Sequence, residues 1–253
     1  MSEALFEELW RGAMDGSFEP GEVDVSLAEG QRLQVALQQR WHEEGCTVGG
    51  WKLGMTSGAS RDVFGAGVRP FGFILQKRIF TSGSTLTCSA IGKAGIENEL
   101  CFTIGADLGA DASRDDAIAA VKSVAPAFEI NQRRISGPTS PGMRIADNLS
   151  NWGLVTGTSI PVPEDLTGFT VVLSNTDATE GTEEIDRVTA LGHIDDHFSS
   201  IAKLARVLAE HGLSLHVGDR VITGAFTRTT LTPGRYTGSF GSPIGDVSVV
   251  VQP

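Results

Sequence analysis

Cysteine is scarce in this sequence. Cys46, Cys88 and Cys101 form no CxxC pair, which excludes a disulfide framework and a zinc ribbon and fits a reducing cytosol. Positive charge is short as well: 20 Lys and Arg stand against 31 Asp and Glu, a net charge of −11. Nucleic acid is thereby excluded as a partner, because phosphate binding needs a basic face. An anionic membrane surface offers such a chain no electrostatic gain, and no apolar run approaches the ~20 residues of a membrane-spanning helix. The opening MSEALFEELWRGAMDG is acidic and amphipathic, without the basic, apolar and cleavage regions of a secretory signal. A cytoplasmic location is expected. Common catalytic signatures are missing too. There is no GxxxxGKS/T, no GxGxxG opening a helix and no GxSxG elbow, which argues against a nucleotide enzyme or an ordinary serine hydrolase.

What is present has ordinary globular composition, 40% hydrophobic and 20% charged, enough to bury a real core. Apolar spacing predicts a first helix around Leu5, Leu9 and Trp10 and a second over 26–43, carrying Leu27, Leu33, Val35, Leu37 and Trp41 and ending at Gly45. From Val48 to Phe80 short apolar runs broken by Gly and Pro read as strands and loops. A strand over 95–103, a helix over 114–124, a strand at APAFEINQRRI and a surface hairpin over 168–191 follow. A further helix over 198–211 is stopped by Gly212, and a strand-rich end completes the chain. Helices lead and strands dominate the rest, so the class is α+β. No linker divides the text, so residues 1–253 are read as one domain: an N-terminal helical segment, 1–45, and a catalytic part, 46–253.

The stretch GIENELCFT places Glu97 and Glu99 on one face of a strand, with Ile96, Asn98, Leu100 and Phe102 on the other. Two carboxylates so close are either screened by water on an edge strand or bridged by a cation. Glu129, set in PAFEI between Phe128 and Ile130, needs a partner if it is buried. Three carboxylates from two strands make an oxygen-rich site for a hard divalent cation such as Mg²⁺ or Mn²⁺. Lys52, between Trp51 and Leu53 in a glycine-rich setting, is either a snorkelling surface lysine or a desolvated amine of lowered pKa that moves protons. His193 and His197, the HxxxH of HIDDH, lack the Glu of HExxH, and a helix start with acidic capping neighbours weighs more than zinc.

In order and spacing these segments resemble the 2-keto-4-pentenoate hydratase and 4-oxalocrotonate decarboxylase family, within the fumarylacetoacetate hydrolase superfamily. GWKLGMTS is similar to its G-x-K-x-G-L-T-S, IENELCFTIGADL to I-E-A-E-I/L-A-F, and APAFEINQRRI to P-A-I/L-E-I/V-x-x-S-R-I. IADNLSNWGLVTG resembles V-A-D-N-A-S. ALGHIDDHF, the helix after it, GDRVITGAF and PGRYTGSFGSPIGDVSV match the closing segments, so the likeness spans nearly all the chain beyond the first helix.

The resemblance implies that Glu97, Glu99 and Glu129 hold Mg²⁺ or Mn²⁺, that Lys52 is the active-site lysine, and that Ser150 closes the D-N-A-S motif. It implies a mixed β-roll or half-barrel with peripheral helices, usually a homo-oligomer, and an association with a partner enzyme of the same pathway. The implied activity is a lyase of aromatic-compound catabolism. It acts on a 2-hydroxy-2,4-dienoate or 2-oxo-enoate, a small 2-oxo acid, by adding water or releasing CO₂, with the metal as Lewis acid and Lys52 as acid/base. Glu at the third ligand position, where the superfamily's C–C hydrolases carry Asp, and the missing N-Y-x-x-H disfavour an acylpyruvate hydrolase. A non-catalytic assembly subunit is disfavoured by the intact ligand set. Hydratases of the family read Q-P-D-F/Y-G after the lysine motif; here the text is RPFG, Arg69 to Gly72, without the Asp. That favours decarboxylation and leaves Arg69 as either an anion contact or a surface residue.

Overall fold

A computed structural model describes residues 3–21, 23–177 and 181–253. The chain opens with α1 (Glu3–Asp15) and α2 (Leu27–Glu43), then β1 (Val48–Leu53), β2 (Phe71–Leu75), β3 (Ile79–Thr81) and β4 (Thr85–Thr87). A short α3 (Cys88–Ile91) leads into β5 (Ala94–Ile104), α4 (Arg114–Ala120), β6 (Val121–Gln132), α5 (Pro141–Ala146) and β7 (Asn151–Thr156). β8 (Thr170–Asp177), β9 (Gly181–Thr189), α6 (His197–Ala209), β10 (Arg220–Ile222), β11 (Thr227–Thr230), β12 (Gly234–Ser239) and β13 (Asp246–Gln252) complete it. The architecture is α+β, as expected.

Local chemistry explains most boundaries. Ser26 caps α2 by accepting a hydrogen bond from Glu29 N, a contact worth about 1 kcal/mol. The helix buries Leu33, Leu37 and Trp41 and stops where Gly45 takes a φ of 78°. Asp196 caps α6 in the same way, accepting from Ser199 N. The hairpin expected over 168–191 is β8 paired with β9; residues 178–180, within its turn, lie outside the described residues.

The helix expected over 114–124 is shorter. A capping box between Ser113 and Asp116 starts α4, but Val121 is already extended and begins β6. The β-branched Val121 and Val124 find pairing partners on β5 along its whole length, and that long ladder outweighs four more residues of helix.

Two sheets form. One runs β2-β1-β10-β5-β6-β7-β3, with β11 also paired to β5; the other runs β4-β13-β12-β8-β9. β5 is therefore interior to its sheet, with β6 on one side and β10 and β11 on the other. This overturns the edge-strand alternative for Glu97 and Glu99. The sheets meet where Gly238 of β12 lies against Asn98 and Phe128; any Cβ there would collide with the Asn98 side chain. Asn98 and Phe128 thus face the second sheet, and alternation turns the glutamates of the same strands to the opposite face. A large core cluster joins the helices to both sheets, running from Leu9 and Trp41 through Leu100 and Phe128 to Tyr236 and Val249.

Candidate active site

The opposite face of β5 and β6 is the floor of a cavity of about 450 Å³. Register places Glu97 directly across from Glu129, and Glu99 follows two residues on. The carboxylate oxygens of Glu97, Glu99 and Glu129 lie within 4.8 Å of one another. Glu129 is fully buried and Glu99 nearly so, while Glu97 keeps 18% of its side chain exposed.

Lys52 reaches this cluster from β1. Gly72, its partner on β2, leaves room for the lysine stem; a Cβ there would press on Lys52 Cγ. Nζ donates to both oxygens of Glu129, at 2.5 and 2.7 Å. Burial works to lower the pKa of the amine, but the charges of Glu129, Glu97 and Glu99 and the hydrogen bond to Glu129 outweigh it, and the net direction is upward. In the chain without a cation the direction is thus opposite to the lowered pKa expected from the sequence, because three carboxylates surround the amine and outweigh its burial. Glu99 is pushed well above the usual carboxylate range, first by burial and then by the charge of Glu129, despite the Gly224 N–H donated to it at 2.7 Å. Glu129 is raised by burial as well, against the pull of Lys52.

The donor set suits a hard divalent cation. Three carboxylates converge on one ammonium, with Arg228 a looser counter-charge 3.6 Å from Glu97, and two of them are removed from water, so the cluster offers an oxygen-rich, partly desolvated donor set. Among the described residues this is the single cluster of His, Cys, Asp or Glu with metal-ligating spacing. His193 and His197 do not join it. His197 begins α6 behind the Asp196 cap, is buried with Nδ1 2.7 Å from Thr223 Oγ1, and burial lowers its pKa to about 4.

Ser150 lies on the cavity wall, in an unusual backbone. Asn148, Leu149 and Ser150 take φ values of 53°, 50° and 62° in succession, and each costs about 1–2 kcal/mol in L-residues. Side chains from elsewhere hold the turn. Asn148 Oδ1 accepts from Phe73 N and its Nδ2 donates to Phe73 O, both at 2.8 Å. Buried Gln34 of α2 donates to Asn148 Oδ1 and to Phe71 O. Arg134 is buried with Asp147, donating to its carboxylate at 2.6 Å and its carbonyl at 2.8 Å. The turn then delivers Asn151, whose Nδ2 donates to Glu129 Oε1 at 2.7 Å.

Sequence reasoning missed Asn151, Asn148, Gln34, Arg134 and Asp147 as site residues. Four of them sit in or beside the quoted INQRRI and IADNLSN segments, so the signal was a polar cluster in otherwise apolar text. Arg69 is neither an anion contact nor a loose surface side chain. It is held by Asp62 at 2.6 Å and Asp195 at 2.7 Å with 9% of its side chain exposed, and it does not line the cavity.

A carboxylate triad and a buried lysine on the face of such a mixed sheet resemble the arrangement of fumarylacetoacetate hydrolase-like enzymes, and the comparisons point the same way. No family model matches the chain. It is 29% identical over 214 residues to a 4-oxalocrotonate decarboxylase of Pseudomonas putida, covering 83% of this chain and 80% of that one. It is 23% identical over 226 residues to a 2-keto-4-pentenoate hydratase of Paraburkholderia xenovorans, covering 88% and 83%. The structure of a 4-oxalocrotonate decarboxylase from Pseudomonas putida G7, complexed with magnesium and adipate, superposes with a TM-score of 0.87 at 25% identity, over 98% of this chain and 96% of that one. Along most of its length the chain is thus similar to 4-oxalocrotonate decarboxylases and 2-keto-4-pentenoate hydratases.

Proposed function

We propose that this protein is a divalent-metal-dependent lyase of a 2-hydroxy-2,4-dienoate or 2-oxo-enoate, working as a carboxy-lyase. The observation that carries the reading is the packing of Glu97, Glu99 and Glu129 within 4.8 Å of one another beside a buried lysine. Relatives named as decarboxylases and hydratases support it, and decarboxylase structures hold magnesium or calcium. A Mg²⁺ or Mn²⁺ ion held by the three glutamates would supply Lewis acidity at the 2-oxo-acid end of the substrate and positive charge that loosens the proton on Lys52.

The remaining work falls to the chain itself. Asn151 and Gly224 fix the orientation of Glu129 and Glu99 through the hydrogen bonds they donate. Lys52 Nζ holds a proton beside the substrate's conjugated chain. As CO₂ departs, its bonding pair passes into the conjugated 2-oxo system, and Lys52 Nζ returns a proton to the carbon that lost the carboxylate. Ser150 Oγ, on the wall, orients the substrate by hydrogen bonding.

Water addition would use the same electron sink, and hydratase relatives cover most of the chain. Decarboxylation is favoured because Arg69, before Pro70 in RPFG, is engaged by Asp62 and Asp195, and no carboxylate of that segment lines the cavity to handle the proton of an added water.

The two sheets are read as the superfamily's β-roll or half-barrel, and residues 1–253 as one domain, 1–45 packing on the catalytic part through the shared core. A homo-oligomer in the cytoplasm, able to associate with an enzyme of the same pathway, completes the reading. No helix among the described residues is long and apolar enough to cross a membrane. The test is to incubate magnesium-loaded protein with 4-oxalocrotonate and with 2-hydroxypentadienoate, following ultraviolet loss and CO₂ release. CO₂ from the first substrate is expected. If neither turns over, and Glu97→Gln leaves metal content unchanged, the lyase reading fails.

A further inference from the structure

The strand that carries Lys52 has a second side. Alternation along β1 turns Trp51 away from the glutamates, and its indole lines another cavity, of about 510 Å³. That lies within the roughly 300–1,000 Å³ typical of small-molecule sites. α2 supplies one wall: Val35, Gln38 and His42, at helical spacing, share the face that lines the cavity. The loop between α6 and β10 supplies the other, with His211, Leu213 and Asp219. Val35, Val48 and Leu213 are half-buried and pack on the main core, so the deep part is apolar. Phe71 backs this floor, its ring 6.0 Å from Trp51 and 5.7 Å from His211.

The charge of this cavity is the reverse of what an acid requires. No Lys or Arg lines it, and Asp219 is its one carboxylate. Asp219 Oδ2 accepts from Trp51 Nε1 at 3.1 Å and from His216 N at 2.9 Å, which pins the carboxylate at the edge of the indole. Both donors take the same oxygen. Among the described residues Oδ1 accepts no hydrogen bond, and the carboxylate enters no ion pair. A fixed carboxylate without a paired cation, beside aromatic rings, is what a cation with an apolar body needs. His42 and His211 do not gather with Asp219 at metal-ligating spacing, so the fitting cation is organic and not a bare metal ion.

We propose that this second cavity is a binding site for a small organic ammonium ion with an aromatic or apolar body, its ammonium donating to Asp219 Oδ1 and its body lying over the floor around Trp51. The site is on the opposite face of β1 from Lys52, and the proposal does not depend on the lyase reading.

The test titrates magnesium-loaded, nitrogen-15-labelled full-length protein at pH 8 with three ligands that share a phenethyl body: phenethylamine, 2-phenylethanol and 3-phenylpropanoate. Binding is followed through the indole N–H resonances, and that of Trp51 is identified by its loss in Trp51→Phe. Phenethylamine is expected to move the Trp51 signal and to bind roughly tenfold or more tightly than the alcohol, the effect of one charge-assisted hydrogen bond; the anionic acid should bind weakest. Asp219→Asn keeps an acceptor for Trp51 and His216 and should bring the amine to the level of the alcohol. Equal wild-type affinity for amine and alcohol, an amine affinity unchanged in Asp219→Asn, or a Trp51 signal that no ligand moves overturns the proposal. Glu97→Gln controls for the other acidic site and should leave the amine's affinity unchanged. If that affinity falls in Glu97→Gln and holds in Asp219→Asn, the cation sits among the glutamates and the proposal falls.

Discussion

Lys52 Nζ sits 2.5 and 2.7 Å from the two carboxylate oxygens of Glu129, and both side chains are buried. The lysine belongs to β1 and the glutamate to β6, with β10 and β5 between them in the sheet. The pair therefore exists through the side chains, which reach across the cavity floor. Neither charge can be removed alone without leaving the other in a dry setting, which costs about 3–5 kcal/mol.

Lys52→Met is accordingly expected to destabilise the metal-free protein and to lower turnover by about 10²–10⁴-fold, the range of a lost general acid. Magnesium content should stay near that of the wild type, because the glutamates are intact. A chemical denaturation curve, metal analysis and the CO₂ assay check the three parts. Turnover within a few-fold of wild type would remove Lys52 from the chemistry.

Magnesium itself should stabilise the fold. At about a hundredfold excess over Kd the gain is about 2.7 kcal/mol, or roughly 5–10 °C in Tm for a chain of this size. Glu97→Gln replaces the most exposed member of the triad and should abolish most of that shift while leaving the metal-free Tm near wild type. An undiminished shift in the variant would mean that the ion binds elsewhere.

Asn151 does not itself line the cavity, yet it donates to Glu129 Oε1, which does. Asn151→Ala is expected to weaken magnesium binding or turnover by about 10–100-fold, as for other groups that orient metal-ligand carboxylates. A merely structural residue would lower Tm and leave the Kd for magnesium unchanged, so titration of the folded variant distinguishes the two.

His197 gives a pH dependence with a defined sign. Its folded pKa, about 4, lies below the ordinary 6.5 of the unfolded chain. Above pH 6.5 both states hold neutral imidazole and the native state keeps its full stability. As pH falls towards 4 the unfolded state takes up the proton first, and stability is lost by about 3 kcal/mol from this group. Urea unfolding at pH 7 and pH 4.5 should show a smaller acid loss in His197→Asn, which retains a hydrogen-bonding group for Thr223. An identical loss in the variant would show that His197 is not buried as a neutral ring.

Much of this was legible from local text. The faces of α2 and α6, their caps and stops, and the alternation that sets Glu97 and Glu99 apart from Asn98 and Leu100 are properties of spacing along the chain. The order of the GWKLGMTS, IENELCFT and PAFEI segments was enough to name a ligand set and a lysine. The end of α4 was not legible, because Val121 to Val124 fit a helix locally and were claimed by the β5 ladder.

Periods of two and 3.6 residues are written in the chain itself, so the sequence alone determined which side chains share a face and which residue types could meet. Register and burial are long-range, and the tertiary structure alone decided the rest. It set Glu129 opposite Glu97, brought Lys52 across two strands, used Asn151 and Gln34 to hold neighbours far away in sequence, and engaged Arg69 away from the cavity. It also turned the pKa of Lys52 upward rather than downward, because the sign of that shift depends on how many carboxylates surround the amine, a number no single segment contains.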